Sequence, residues 1–440
     1  MVKLLLKTIS LNSPNLERNP PIDQVLKSGV VPYLVQYLTR VDNAKLQFEA
    51  AWCLTNIASG NSEHVAFLVN HNAVPIFVTL MASQDEELRE QATWAIGNIA
   101  GDGAKFRDLV LHNGVMNPLL QILVSPTAKT SMLRNATWTL SNLCRGRPSP
   151  RFADIAPSLP VLARLIHSSD NEVVIDASWA LSYISDGSEE NIQAVIDSGI
   201  TSKMVQLLGH SNTSIQTPAL RTVGNIVTGS DSQTQHMLDL GILPYLYQLL
   251  SSPRKSLRKE SCWTVSNITA GNAQQTQLAI NTNIVPQLIK LMTSGEFEVK
   301  KEAAWALSNA TTWKQTDQIR YLVQAGCIKP FVDLLTVKDS KLIGVTLEAI
   351  ENILYTGERL SKANGINPFL SIVEEAEGID RLEELQQHEN EDIYKKAVRI
   401  LENYFSAGEE DENMAPNYAN NNQTFAFNSN VQVPTGGFAF

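Results

Sequence analysis

Tryptophan and asparagine recur four residues apart in a series that runs along most of the chain. It reads AWCLTN (Trp52, Asn56), TWAIGN (Trp94, Asn98), TWTLSN (Trp138, Asn142) and SWALSY (Trp179, Tyr183). It continues as LRTVGN (Arg221, Asn225), CWTVSN (Trp263, Asn267), AWALSN (Trp305, Asn309) and LEAIEN (Glu348, Asn352). Residues i and i+4 of a helix lie on one face, so each pair forms a short stripe. One isolated pair would read as a Trp packed between helices and an Asn holding a turn. A whole column reads differently, because a side-chain amide carries two donors and an acceptor, and burying it unpaired costs free energy each time. If the stripes line a concave surface, the amides can pair with the backbone of an extended peptide regardless of its sequence.

Packed helices lie ~8–10 Å apart and an extended chain advances ~3.3 Å per residue. Each repeat therefore spans roughly two to three ligand residues, and successive indoles form slots. A lysine stem fits such a slot, with its methylenes on the rings and its ammonium facing the π clouds. Acids stand near the same stripe. Glu49, Asp176, Glu260 and Glu302 each lie three residues before a Trp of the column, and Asp102 and Asp186 follow the Asn position at the helix end. Any one of them alone would read as a solvated carboxylate; with the Trp slots they specify a groove for Lys and Arg. The column breaks where Tyr183 replaces Asn and Arg221 replaces Trp. A cation at 221 would repel a basic ligand, which divides the groove into tracts at residues 52–142 and 263–309. A ligand with two basic clusters and a spacer matches that layout.

The elements that must hold these residues follow from a second column. Proline opens an apolar stretch at Pro32, Pro75, Pro118, Pro160, Pro244, Pro286, Pro330 and Pro368, with Lys203 in the Pro position of ITSKMVQLL. Proline is tolerated in the first turn of a helix, where its missing N–H would be unpaired anyway. About nineteen residues after each Pro comes the W-x-x-x-N segment, and that segment recurs every 41 to 44 residues. Each unit thus reads as a short linker, a Pro-started helix and a longer Ala-rich helix. Neither helix can bury its apolar face alone, so neighbours must stack into a superhelix with one continuous core. Period-2 alternation is absent, and the fold class is all-α.

Composition narrows the function classes. The net charge of −10 disfavours nucleic acid as a ligand and favours a basic partner. No apolar run approaches the ~18 residues of a membrane span, and MVKLLLKTISLN is followed by no small-residue cleavage site. Cys53, Cys144, Cys262 and Cys327 lie far apart in apolar helical segments, as expected of buried free thiols in a reducing compartment. The Asn-x-Ser/Thr matches at Asn135, Asn267 and Asn309 are then accidental. No nucleophile–base pair, metal-ligand spacing or phosphate loop stands out, and GDGAKF at Gly101 lacks the GKS/T element. The chain is therefore not expected to be an enzyme or to need a cofactor or metal.

The motifs NPPIDQVLKSGVVPYLV, AWCLTNIASG, ATWAIGNIAGDG, TWTLSNLCRG, SWALSYISDG, TPALRTVGNIVTG, KEAAWALSNAT and HENEDIYKKAVRILENYF resemble those of importin-α (karyopherin-α), over roughly residues 18–405. The resemblance implies a right-handed superhelical solenoid of about nine to ten armadillo repeats, here spanning residues 21–407. It implies a nuclear import adaptor that binds Lys/Arg-rich nuclear localisation signals and shuttles between cytoplasm and nucleus. The family's major groove would map onto Trp52, Asn56, Gly60, Trp94, Asn98, Asp102, Trp138, Asn142, Asp176 and Trp179. Its minor groove would map onto Arg221, Asn225, Glu260, Trp263, Asn267, Glu302, Trp305 and Asn309. Residues of about 374–405 resemble the region recognised by the export receptor.

Three departures from the family pattern stand out. Residues 1–20 read as a truncated first repeat, and the family's Lys/Arg-rich importin-β-binding arm has no counterpart there. Val65 stands where a Thr is usual beside the main lysine pocket, leaving Asp102 and the Gly60 carbonyl to hold the ligand; weaker binding is expected. Trp313 stands where a small residue is usual and would reshape the minor groove. Residues 408–440 begin with the acidic run GEEDE, turn Asn-rich, and have too little apolar periodicity to fold. The competing reading is a generic armadillo scaffold in adhesion or signalling, which would have no special affinity for Lys-rich peptides.

Overall fold

The computed structural model describes residues 22–362 and 365–406. The segments read as a truncated first repeat (1–20) and an acidic tail (408–440) lie outside the described residues. All regular structure among the described residues is helical. The chain divides after Trp313 into two compact units.

In the first unit the W-x-x-x-N segments form seven long helices: α1 (Ala44–Ala58), α2 (Glu86–Gly101), α3 (Thr130–Cys144), α4 (Asn171–Ser185), α5 (Thr213–Ile226), α6 (Lys255–Ala270) and α7 (Phe297–Asn309). Successive long helices pack against one another, and each packs against the shorter helix that precedes it, Pro-started in every unit but that of α5. The reason is visible in α2, where Leu88, Ala92, Ala95, Ile96 and Ile99 share one face and are at most 1% exposed. Burying each Leu or Ile contributes about 1.5–3 kcal/mol, which no single helix could gain alone. The prolines fall where the missing N–H costs nothing. Pro32 and Pro160 are second in their helices, and Pro75, Pro118, Pro244 and Pro286 are third. At Asn72 and Asn283 the chain enters these helices in the left-handed region (φ 62° and 61°), a conformation short polar residues tolerate.

The segments expected to be linkers contain a third helix. Ser62–Asn70, Ala104–His112, Glu189–Asp197, Asp231–Asp239 and Ala273–Asn281 are nine residues each. Several are fixed by reciprocal caps: Asn61 Oδ1 accepts from the His64 N–H while His64 Nδ1 accepts from the Asn61 N–H, both at 3.1 Å. Asn272 and Gln275 repeat the arrangement. One unit departs, with only Phe152–Ile155 and a 3₁₀ turn at Ala156–Ser158.

In the second unit, α8 (Ser340–Ser361) has 22 residues and is capped by Asp339, whose carboxylate accepts from the Leu342 N–H at 3.0 Å. Pro330 is third in Ile328–Leu334, whereas Pro368 stands two residues ahead of Leu370–Glu375. Helix α8 packs against Glu391–Ile400. All four cysteines are buried and free, and burial pushes the Cys53, Cys144 and Cys327 thiols up to about 12.

Candidate functional site

The column residues sit at the outer margin of the long helices. Trp52, Trp138, Trp179, Trp263 and Trp305 are half-buried, and Trp94 is 43% exposed. Their flanking Ala and Leu residues are in the core, so each indole sits at the boundary between core and solvent. Glycine seats two of the rings. A Cβ on Gly97 would stand 2.4 Å from Trp138 Cζ3, and one on Gly224 would stand 2.5 Å from Trp263 Cζ3. Both glycines lie three residues after a column position, where the other units of the first compact unit carry Ser or Thr. Sequence reasoning missed these seats, although the run of small residues at that position was the available signal.

The asparagines are placed differently from the expectation that they stand free for a ligand. Asn98 Nδ2 donates to the Thr55 carbonyl (3.4 Å), Asn142 Nδ2 to Gly97 (3.1 Å), Asn225 Nδ2 to Ser182 (2.8 Å) and Asn309 Nδ2 to Ser266 (2.9 Å). Each acceptor is the residue just before the Asn or Tyr of the preceding repeat, so the column staples one repeat to the next. At Asn98, Asn142 and Asn309 one donor is spent this way, and a carbonyl oxygen and a second N–H remain for another partner, whereas Asn225 Nδ2 also donates to Ser185 Oγ at 3.2 Å. Asn56, Asn142 and Asn225 are buried, while Asn98, Asn267 and Asn309 are half-buried. Asn267 has a buried Nδ2 with no partner among the described residues.

Three of the acids, Asp176, Glu260 and Glu302, are raised by burial. Asp102 caps α2; its Oδ1 accepts from Ser62 Oγ at 3.1 Å, and its buried Oδ2 has no partner among the described residues. Burial, then the nearby Glu172 charge, raises Asp176 from 3.8 to about 6. Burial also raises Glu260, with Arg221 and Lys259 opposing it, and Glu260 Oε2 is a second buried oxygen without a partner. Glu302 is raised by burial as well. Glu49 is half-buried, and Asp186 is exposed and paired with Arg147 at 2.7 Å.

At the break in the column, Tyr183 stacks on Trp179 with ring centroids 5.9 Å apart. Arg221 does not stand as a bare repulsive charge: its Nη2 donates to Glu260 Oε1 at 2.7 Å, and its guanidinium lies over the Trp263 ring at 5.5 Å. The structure thus brings Arg221, Glu260 and Trp263 into one cluster. Val65 is fully buried, and Gly60 is tight against His64, whose Nδ1 would be 2.1 Å from an added Cβ. Trp313 is 47% exposed and pinned by Nε1 donating to the Gly271 carbonyl at 2.7 Å. Among the described residues no three acid, His or Cys side chains are grouped to hold a metal, and no helix is long and apolar enough to cross a membrane.

Comparison with known proteins gives a consistent assignment. Residues 18–59, 61–101, 104–145, 156–186, 188–228, 230–270, 272–312 and 315–355 each match the Armadillo/beta-catenin-like repeat, and residues 367–417 match an atypical Arm repeat. The chain is 56% identical over 433 residues to importin subunit alpha-2 of Arabidopsis thaliana, covering 97% of this chain and 80% of the relative. It is 52% identical over 429 residues to importin subunit alpha-1b of Oryza sativa subsp. japonica, with the same coverage. It is 57% identical over 399 residues to importin subunit alpha-B of Dictyostelium discoideum, covering 90% of this chain and 77% of the relative. A crystal structure of an engineered protein, 30% identical, superposes with a TM-score of 0.81 over 92% of this chain and 95% of its own. The chain belongs to the importin-α family, armadillo-repeat adaptors rather than enzymes.

Proposed function

We propose that this chain is a nuclear import adaptor that holds Lys/Arg-rich nuclear localisation signals as extended peptides along the Trp/Asn stripe. The carrying observation is a set of buried carboxyl oxygens left without a partner, even at Glu260, where Arg221 takes only Oε1. Asp102 Oδ2 and Glu260 Oε2 are buried without a partner among the described residues, and burial raises Asp176 to about 6. A carboxylate in that condition is stabilised by any ammonium or guanidinium brought within about 4 Å. The indoles beside these acids accept the aliphatic stem of the same ligand side chain, and the remaining amide groups of Asn98, Asn142 and Asn309 pair with its backbone. In this reading the major groove comprises Trp52, Asn56, Gly60, Trp94, Asn98, Asp102, Trp138, Asn142, Asp176 and Trp179. The minor groove comprises Arg221, Asn225, Glu260, Trp263, Asn267, Glu302, Trp305 and Asn309. The importin-α names of its relatives support cargo carriage between cytoplasm and nucleus, with return by an export receptor engaging the C-terminal repeats.

The test is a fluorescence-anisotropy titration of a labelled Lys/Arg-rich peptide against its Lys→Ala counterpart at two salt concentrations. Tight, salt-sensitive binding of the basic peptide alone is expected. Equal binding of both peptides would leave a generic armadillo scaffold.

A further inference from the structure

The second compact unit holds a pocket of opposite character to the stripe. Its volume is about 420 Å³, and Lys314, Lys396, Arg399, Tyr355 and Tyr404 line it together with Glu348, Glu351 and Asn352. Arg399 is already paired with Glu351. The two lysines are not neutralised: the Lys396 ammonium makes no ion pair or hydrogen bond with any described residue, and Lys314 Nζ stands 4.6 Å over the Tyr355 ring. The contrast on one helix is informative, since the adjacent Lys395 is paired with Glu391 at 2.6 Å. Lys314 also holds a left-handed backbone (φ 49°), a conformation that strains a residue with a long side chain. Ammonium, guanidinium and phenol groups outnumber the acceptors here, which suits a ligand bearing several carboxylates.

One such ligand is tethered to the pocket wall. Tyr404 lines the cavity, the described chain ends at Ser406, and the run Glu409, Glu410, Asp411, Glu412 begins five residues after Tyr404. Five residues reach roughly 18 Å at full extension, enough to turn back into a pocket that Tyr404 itself borders.

We propose that the acidic run Glu409–Glu412 binds in this pocket in cis, its carboxylates on the Lys314 and Lys396 ammonium groups. This does not depend on the cargo reading, because no residue of the stripe in the first unit takes part. It makes the pocket a site for an acidic peptide that the chain fills itself.

The experiment uses the full chain. Zero-length carbodiimide coupling followed by peptide mass mapping is expected to join Lys314 or Lys396 to a carboxylate of residues 409–412, and Lys396→Gln is expected to reduce the yield severalfold. In parallel, a full-length variant with Glu409→Gln, Glu410→Gln, Asp411→Asn and Glu412→Gln is titrated with a labelled peptide of sequence AGEEDEN, which reproduces residues 407–413. At least tenfold tighter binding than to wild type is expected, lost when Lys314→Glu and Lys396→Glu are added. Absence of those couplings would overturn the proposal. So would equal binding of the peptide to wild type and the neutralised variant, which would mean that the pocket is open to acidic segments in trans or takes none.

Discussion

The two tracts of the stripe use the same column of residues and leave their slots in different states. In the first tract Trp138 sits on Gly97, and Asp102 nearby keeps one oxygen without a partner. In the second, Trp263 sits on Gly224 in the same way, but Arg221 already lies over its ring and takes one oxygen of Glu260. On the proposed reading, a ligand lysine entering the first tract would meet an acid with one oxygen unpaired among the described residues. One entering beside Trp263 competes with a tethered guanidinium. The difference teaches that, if the stripe holds peptides as proposed, one residue that supplies or withholds a cation would set the strength of a subsite. On the proposed reading the first tract is expected to be the stronger site.

The largest effect should come from emptying a slot of the first tract. Trp94→Ala with Asn98→Ala is expected to weaken a basic peptide by about 100-fold, the size of a desolvated aromatic hot spot. Stability should fall by only about 1 kcal/mol, because Trp94 is 43% exposed and Asn98 gives up one long hydrogen bond to the Thr55 carbonyl; peptide anisotropy and urea denaturation read the two quantities separately. Next, Gly97→Ala places a Cβ 2.4 Å from Trp138 Cζ3 and 2.5 Å from Thr139 Oγ1. It is expected to cost about 1–3 kcal/mol in the urea midpoint, as overpacking does, and to weaken the first tract with it. Arg221→Ala sharpens the comparison from the other side. Freeing Trp263 and Glu260 should strengthen a single-cluster peptide at the second tract by about tenfold, or 1.4 kcal/mol.

The smallest effect concerns Asp176. Its folded-state value of about 6 lies above the ordinary 3.8, so the folded protein holds the proton more tightly than the unfolded chain. That stability is fully present below about pH 4 and is lost as pH rises through 6. Asp176→Asn should therefore stabilise the protein by about 1 kcal/mol at pH 8, after allowing for solvent screening at this half-buried site, and by nothing near pH 4. Peptide affinity should move the other way, falling severalfold from pH 7 to pH 5 as the carboxyl protonates.

Much of this was legible in the residues. The proline and W-x-x-x-N columns located the two main helices of each repeat because helical period and first-turn tolerance are local properties. The buried thiols followed from their apolar surroundings. The third helices read as linkers because nine residues make only about two and a half turns, although the Asn61–His64 and Asn272–Gln275 spacings are their capping signals. The amide staples could not be read, since each joins residues 43 to 45 apart and depends on how far one helix is offset along the next. Arg221 was read as a repulsive break for the same reason. Its partner Glu260 is 39 residues away and becomes a neighbour only on stacking.

The most direct test is isothermal titration calorimetry of a Lys/Arg-rich peptide with one basic cluster against wild type, Asp102→Lys and Glu302→Lys. Two classes of site are expected in wild type, with Asp102→Lys removing the tight class and Glu302→Lys removing only the weak one. A tight class that survives Asp102→Lys, or that vanishes with Glu302→Lys, would contradict the assignment of the first tract as the principal site.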